Sequence, residues 1–91
     1  MNDTVIEMLR EDRVNVPGRD LTVETVSLEG GEYGTRVVDN TGDQRHSNMT
    51  VGGWVINGMY APTGNWMAAM NCRRDAVCAA TYKQIEPRRT R

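Results

Sequence analysis

The stretch Leu21–Val38, LTVETVSLEGGEYGTRVV, carries the clearest hairpin signal of the chain. Apolar and polar residues alternate from Leu21 to Leu28, which predicts a strand. Gly30 and Gly31 then separate it from a second extended run, Tyr33–Val38, and paired glycines between such runs are typical of a hairpin turn. The apolar positions change phase within the first run, which predicts either a bulge near Thr25 or a strand covered on both faces.

Further strands are expected after this hairpin. A turn cluster, Asp39–Asp43, ends the second run, and a third strand is predicted within Ser47–Ile56, interrupted by Gly52-Gly53. Asn57-Gly58 is another turn signal, and Met59-Tyr60 after it is a possible fourth strand. The middle of the chain is therefore expected to form an antiparallel meander of three to four strands.

The segment from Trp66 to about Gln84 lacks glycine and proline and follows a capping sequence at Thr63–Asn65, which predicts a long helix. At 100° per residue the helix has two apolar faces. The expected core face comprises Trp66, Met67, Met70, Val77, Cys78 and Ile85. The second face contains small residues only, and a homodimer interface is predicted at Ala68, Cys72, Ala76 and Ala79.

The N-terminal segment fits a capping box, with Thr4 and Glu7 at the required spacing, which predicts a short helix over Val5–Arg13. Pro17-Gly18 predicts a tight turn after it. The expected fold is α+β: a short N-terminal helix, the antiparallel meander, and the long C-terminal helix packed on the sheet. One small domain over residues 1–87 is expected, with residues 88–91 as a flexible basic tail.

Composition excludes several classes of protein. The chain has 91 residues, of which 38% are hydrophobic, and a net charge of −1, which argues against a uniformly basic nucleic-acid binder. Residues 1–43 carry net −6 and residues 44–91 net +5, so the C-terminal half is basic. No signal peptide and no membrane span is expected, which favours a cytoplasmic protein. Cys72 and Cys78 are interpreted as small buried residues.

Candidate catalytic groups are few. His46 is the one histidine, and Asp39 and Asp43 flank a sequence that typically forms a side-chain-stabilised turn. An enzyme built on these three residues is kept as a minor alternative. With so few potential ligands, neither a metal nor a cofactor is expected, and we predict a protein without enzymatic activity.

The most unusual composition lies in Thr50–Asn65, which holds four glycines and two aromatic residues and has no charged residue. Glycine lets a partner approach the backbone, and flat aromatic rings supply contact area. A protein partner is therefore predicted to bind at Trp54, Asn57, Tyr60 and Arg74. The same segment is also open to interpretation as the core of a small domain or as a pocket for a planar ligand.

Two functions follow from these observations. The favoured one is a small non-enzymatic accessory or inhibitor protein, of the kind that phages and mobile elements encode, acting by contact with a macromolecular partner. The alternative is a nucleic-acid- or nucleotide-binding module that uses the basic half. The residues assigned to this alternative are Arg73, Arg74, Arg88, Arg89 and Arg91.

Overall fold

The computed structural model describes residues 4–42, 45–46 and 48–88, and over these residues the fold is α+β. The elements in chain order are β1 (Val5–Val16), β2 (Arg19–Leu28), β3 (Glu32–Asp39), β4 (Met49–Val51), β5 (Trp54–Val55), α1 (Trp66–Tyr82) and β6 (Ile85–Pro87). One antiparallel sheet has the order β1-β2-β3, and a second, smaller sheet has the order β5-β4-β6.

The predicted central hairpin is confirmed. β2 pairs with β3 in an unbroken register, and Gly30 and Gly31 make the turn with φ of +89° and +82°. The change of apolar phase in β2 reflects a strand covered on both faces. Leu21 and Val23 are fully buried on one face, while Val26 is fully buried on the other.

The predicted N-terminal helix is wrong, because residues 5–16 form strand β1. Pro17-Gly18 makes the expected turn, with Gly18 at φ +86°, and it returns the chain so that Val16 pairs with Arg19. Ten of the 12 residues of β1 then pair with residues of β2. A helix shorter than about 12 residues is marginal without packing, so the strand is favoured over the helix that the local capping pattern indicates.

The remaining strand predictions need correction. Gly52 and Gly53, with φ of +58° and +89°, turn the chain between β4 and β5, so the expected third strand is a small hairpin. Ser47 lies outside the described residues. The predicted fourth strand at Met59-Tyr60 is absent; residues 56–63 instead run along the outer edge of β3 and bond to it at several points.

The helix prediction is confirmed, but its two faces are reversed. Asn65 caps α1 by accepting a hydrogen bond from the N–H of Ala68 at 3.0 Å. The small-residue face is the buried one and contributes Ala69, Ala76, Ala79 and Ala80 to the core. Of the expected core face, Val77 on α1 and Ile85 on β6 pack against the core while remaining partly exposed. Trp66 and Met67 lie more in solvent, at 49% and 73% exposed.

Close packing explains this reversal. A Cβ added to Gly52 would lie 2.7 Å from the Cβ of Ala79, so the β4–β5 turn approaches the helix too closely for larger side chains. Ala76 and Ala79 pack inside one chain, which removes the basis for the homodimer interface predicted at Ala68, Cys72, Ala76 and Ala79. Ala68 and Cys72 are partly buried, and Cys78 is exposed.

Two arginines tie the layers together. The Arg73 guanidinium donates from Nε and Nη2 to the Asp12 carboxylate at 2.7 and 3.0 Å, joining α1 to β1. These hydrogen bonds lower the pKa of Asp12 despite the opposing effect of its burial. Arg19 donates from Nη1 to the carbonyl oxygens of Ala80 and Lys83, each at 2.8 Å, and so satisfies the C-terminal end of α1.

Candidate functional site

The uncharged segment builds a groove of about 350 Å³. The β4–β5 hairpin and the stretch after β5 supply most of its lining, and the chain beyond β6 supplies the rest. The lining residues are Asn48, Gly53, Trp54, Val55, Gly58, Met59, Ala61 and Arg88. Such a volume lies near the lower end for protein ligand sites, and it suits a short apolar segment.

Trp54 forms part of this groove and also stabilises the fold. Its indole N–H donates to the Asp75 carboxylate at 2.8 Å, which connects the small sheet to α1. The ring is partly buried and packs against the core. Only part of its surface is therefore available to a ligand, and its truncation would disturb the fold as well as the groove.

Asn57 positions the groove without facing a ligand. It adopts φ +60°, its N–H donates to the Val37 carbonyl at 2.8 Å, and its Oδ1 accepts from the Asp39 N–H at 2.9 Å. The next residue must be small, since a Cβ on Gly58 would lie 2.7 Å from a Val55 methyl carbon. This fixed turn directs the following residue, Met59, into solvent.

Tyr60 is placed on the sheet and is absent from the lining of the groove. Its ring lies over the Arg36 guanidinium at 5.5 Å from the ring centroid, a cation–π geometry. A Cβ on Gly34 would lie 3.0 Å from the Cβ of Tyr60 and 3.1 Å from Leu28, so Tyr60 covers this face of the sheet closely. The fourth predicted contact residue, Arg74, is exposed on α1 and does not line the groove either.

Of the predicted partner residues only Trp54 lines the groove, and Met59 and Arg88 are the two lining residues, not predicted as contacts, that matter most for its chemistry. Met59 is 80% exposed. Arg88 follows β6, whose pairing of Pro87 with Met49 brings the end of the chain to the residues around Asn48. Arg88 is the one charged residue among the described residues that line the groove.

Of the basic residues assigned to nucleic acid, three lie within the described part of the chain, and they do not form one cluster in the groove. Arg73 is engaged by Asp12, and its neighbour Arg74 is exposed on α1. Arg89 and Arg91 lie outside the described residues. Among the three described arginines of this set, Arg88 lines the groove.

The structure gives Asp39 the role of organising a turn. Its carboxylate accepts hydrogen bonds from the N–H and hydroxyl of Thr41 at 3.0 and 2.8 Å, and from the backbone N–H of His46 at 3.0 Å. Burial raises the pKa of Asp39, but these hydrogen bonds outweigh it and the net shift is downward. The His46 Nδ1 lies 3.7 Å from the carboxylate, beyond hydrogen-bond distance.

Asp43, the third residue of the minor enzymatic alternative, lies outside the described residues. Among residues 4–42, 45–46 and 48–88, no three His, Cys, Asp or Glu side chains are grouped as metal ligands would be. No helix in these ranges is both long and apolar enough to cross a membrane.

A second, more open depression of about 530 Å³ lies at the turn between β1 and β2. Its lining includes Arg19, whose guanidinium is already bound to the end of α1. Asp20, also in the lining, pairs with Arg13 and accepts from Asn40, and these hydrogen bonds lower its pKa to about 2. Several of the polar groups here are thus engaged within the chain.

Comparison of the chain with protein-family models, with curated proteins and with solved structures found no match.

Proposed function

We propose that this protein is a small, non-enzymatic binding protein that acts by contact with a protein partner, and that the groove around Met59 is its contact surface. Met59 carries the proposal. Its side chain is 80% exposed and lines the same groove as Trp54, Val55 and Ala61, so it extends a concave apolar surface that a partner can cover. The fixed turn at Asn57-Gly58 holds it there, so little ordering is needed on binding.

The lining indicates the chemistry of the partner. The groove has an apolar surface formed by Trp54, Val55, Met59 and Ala61. Arg88 adds one positive charge to its lining. A partner segment with a large apolar side chain next to a carboxylate would satisfy both features. Methionine adapts its shape to different apolar partners, which suits such a contact.

A cytoplasmic location belongs to the same proposal. Cys72 and Cys78 are free thiols in the structure, and this state is stable in a reducing compartment.

Peptide display supplies a defined ligand for the test. We would select binders from a random-peptide library with the purified chain and measure their affinity for the wild type and for Met59→Asp. Selected peptides should combine a large apolar residue with Asp or Glu. Loss of a central contact typically costs about 2 kcal/mol or more, so Met59→Asp should weaken binding roughly thirtyfold.

Met67→Asp is the matched control, because Met67 is 73% exposed on α1 and does not line the groove. It should bind the selected peptides as the wild type does, and both variants should keep the wild-type melting temperature. Equal weakening in the two variants would refute the proposed surface. Salt-dependent binding of single-stranded DNA that Arg88→Ala abolishes would instead support the nucleic-acid alternative.

A further inference from the structure

The two edges of the large sheet differ. β3 is covered along its outer edge by residues 56–63, through hydrogen bonds from the N–H groups of Asn57, Ala61 and Thr63 to carbonyls of β3. β1 forms the other edge, and no described residue bonds to its outer side. The main-chain donors and acceptors that point outward from β1 are therefore available for a further strand.

The first half of β1 also exposes an unusual amount of apolar side chain. Every residue from Val5 to Glu11 is exposed, whereas Val14, further along the strand, is only 7% exposed. The four large apolar residues are Val5 at 39%, Ile6 at 65%, Met8 at 41% and Leu9 at 37%. An open edge with large apolar side chains is a typical site for pairing with another chain.

Charge and backbone geometry indicate what kind of chain pairs here. The carboxylates of Glu7 and Glu11 have no basic partner among the described residues, whereas Asp12 is held by Arg73 and Arg10. Glu11 lies opposite Glu24, whose pKa is raised by burial and by Glu11, although Arg36 opposes the shift. Val5–Glu11 contains the carboxylates of Glu7 and Glu11 and one arginine, Arg10, which is paired with Asp12, so this half of the edge carries a net charge of −1.

The register between β1 and β2 shifts twice, leaving Ile6 and Leu9 without a partner on β2. Like charges on an edge strand oppose pairing between identical copies. A second copy would bring its own Glu7 and Glu11 to the same edge. The edge thus favours a partner of opposite charge over a second copy of the chain.

We propose that an extended, basic segment of a partner protein adds to β1 as a new edge strand, with apolar side chains against Val5–Leu9 and with Lys or Arg beside Glu7 on one face of the sheet and beside Glu11 on the other. The inference rests on the proposed function in one respect, that the chain binds protein. It concerns a surface distinct from the groove, so each can fail separately.

The test uses synthetic lysine–valine peptides of the repeat Lys-Lys-Val-Val, which presents lysine and valine on both faces of a strand, with blocked ends, titrated against the full chain. One analogue carries N-methyl groups on alternate residues, which removes the N–H donors from one edge of the peptide and leaves those on its other edge. A second analogue carries them on all residues, which removes both edges. Strand addition predicts that the first analogue binds within about threefold of the parent peptide and that the second loses at least about tenfold.

Charge is tested in the protein. Glu7→Lys/Glu11→Lys should weaken binding of the lysine–valine peptide at least about tenfold and should create binding of a glutamate–valine peptide. Glu86→Lys is the control for charge away from the edge, because it adds two positive charges at an exposed residue of β6 where the double variant adds four at β1; it should bind as the wild type does. Melting temperatures identify any variant that fails to fold, and Glu7→Gln/Glu11→Gln then replaces it.

Equal binding by the two methylated analogues, or by the variant and the wild type, would overturn the inference. A wild-type dimer in sedimentation that Ile6→Lys dissociates would overturn it too, by identifying a second copy as the occupant. Met59→Asp should leave peptide binding at this edge unchanged. A failure of the groove and a failure of the edge therefore give different results.

Discussion

Replacing Gly52 with alanine should destabilise the protein because of the close contact between the β4–β5 turn and α1. The new methyl group would lie 2.7 Å from the Cβ of Ala79 and 3.1 Å from the Cγ of Lys83. Lysine can move, but Ala79 is 3% exposed and belongs to the packed helix face. Overpacking of this kind costs about 1–3 kcal/mol. The left-handed backbone, with φ +58°, adds about 1–2 kcal/mol for any residue with a side chain.

Gly53→Ala separates these two contributions. Gly53 also has a left-handed backbone, with φ +89°, but an added Cβ would have no atom within 4 Å. Both variants therefore carry the backbone cost, and only Gly52→Ala carries the clash. In urea unfolding at pH 7, Gly52→Ala should be less stable than Gly53→Ala by about 1–3 kcal/mol. Equal stabilities would show that the small-residue face of α1 does not pack against this turn.

Two further predictions concern charged groups in the fold. In a double-mutant cycle of Asp12→Ala and Arg73→Ala, urea unfolding should give a coupling energy of about 1 kcal/mol. This value is expected because the paired side chains are only 19% and 21% exposed. A coupling energy below about 0.2 kcal/mol would contradict the ion pair. Asp39→Asn should cost about 1–3 kcal/mol at pH 7, where the ionised carboxylate accepts its hydrogen bonds. Since folding lowers the pKa of Asp39, this stabilisation is present above about pH 4 and is lost as the pH falls through the folded pKa. The difference in unfolding free energy between Asp39→Asn and the wild type should therefore be smaller at pH 3 than at pH 7. A difference that does not change with pH would refute the role of the ionised Asp39 carboxylate.

Sequence signals were sufficient for the elements that depend only on residues close to one another in the chain. The hairpin around Gly30-Gly31 and the helix capped by Asn65 depend on turn chemistry and on periodicity within neighbouring residues, and both were predicted correctly. The segment Val5–Arg13 was not, because its capping pattern is local whereas its pairing with β2 depends on the return of the chain at Pro17-Gly18.

Tertiary contacts decided the features that the sequence left open. Periodicity showed that α1 has two apolar faces but not which of them packs, and the close approach of Gly52 selects the alanines. The groove depends on the pairing of β6 with β4, which brings Arg88 to residues distant in sequence. Composition identified the segment that supplies most of the groove, but the large apolar side chain that this segment exposes is that of Met59 rather than Trp54 or Tyr60.

A nuclear magnetic resonance titration tests the central proposal most directly, since a chain of 10.2 kDa gives well-resolved amide spectra. The ligand is the tightest peptide selected from the display library. Binding at the groove predicts the largest amide shift changes within residues 53–61 and at Arg88, with small changes on the outer face of α1. The largest changes at residues 71–78 of α1 or at residues 39–46, with residues 53–61 unaffected, would contradict the proposed contact surface.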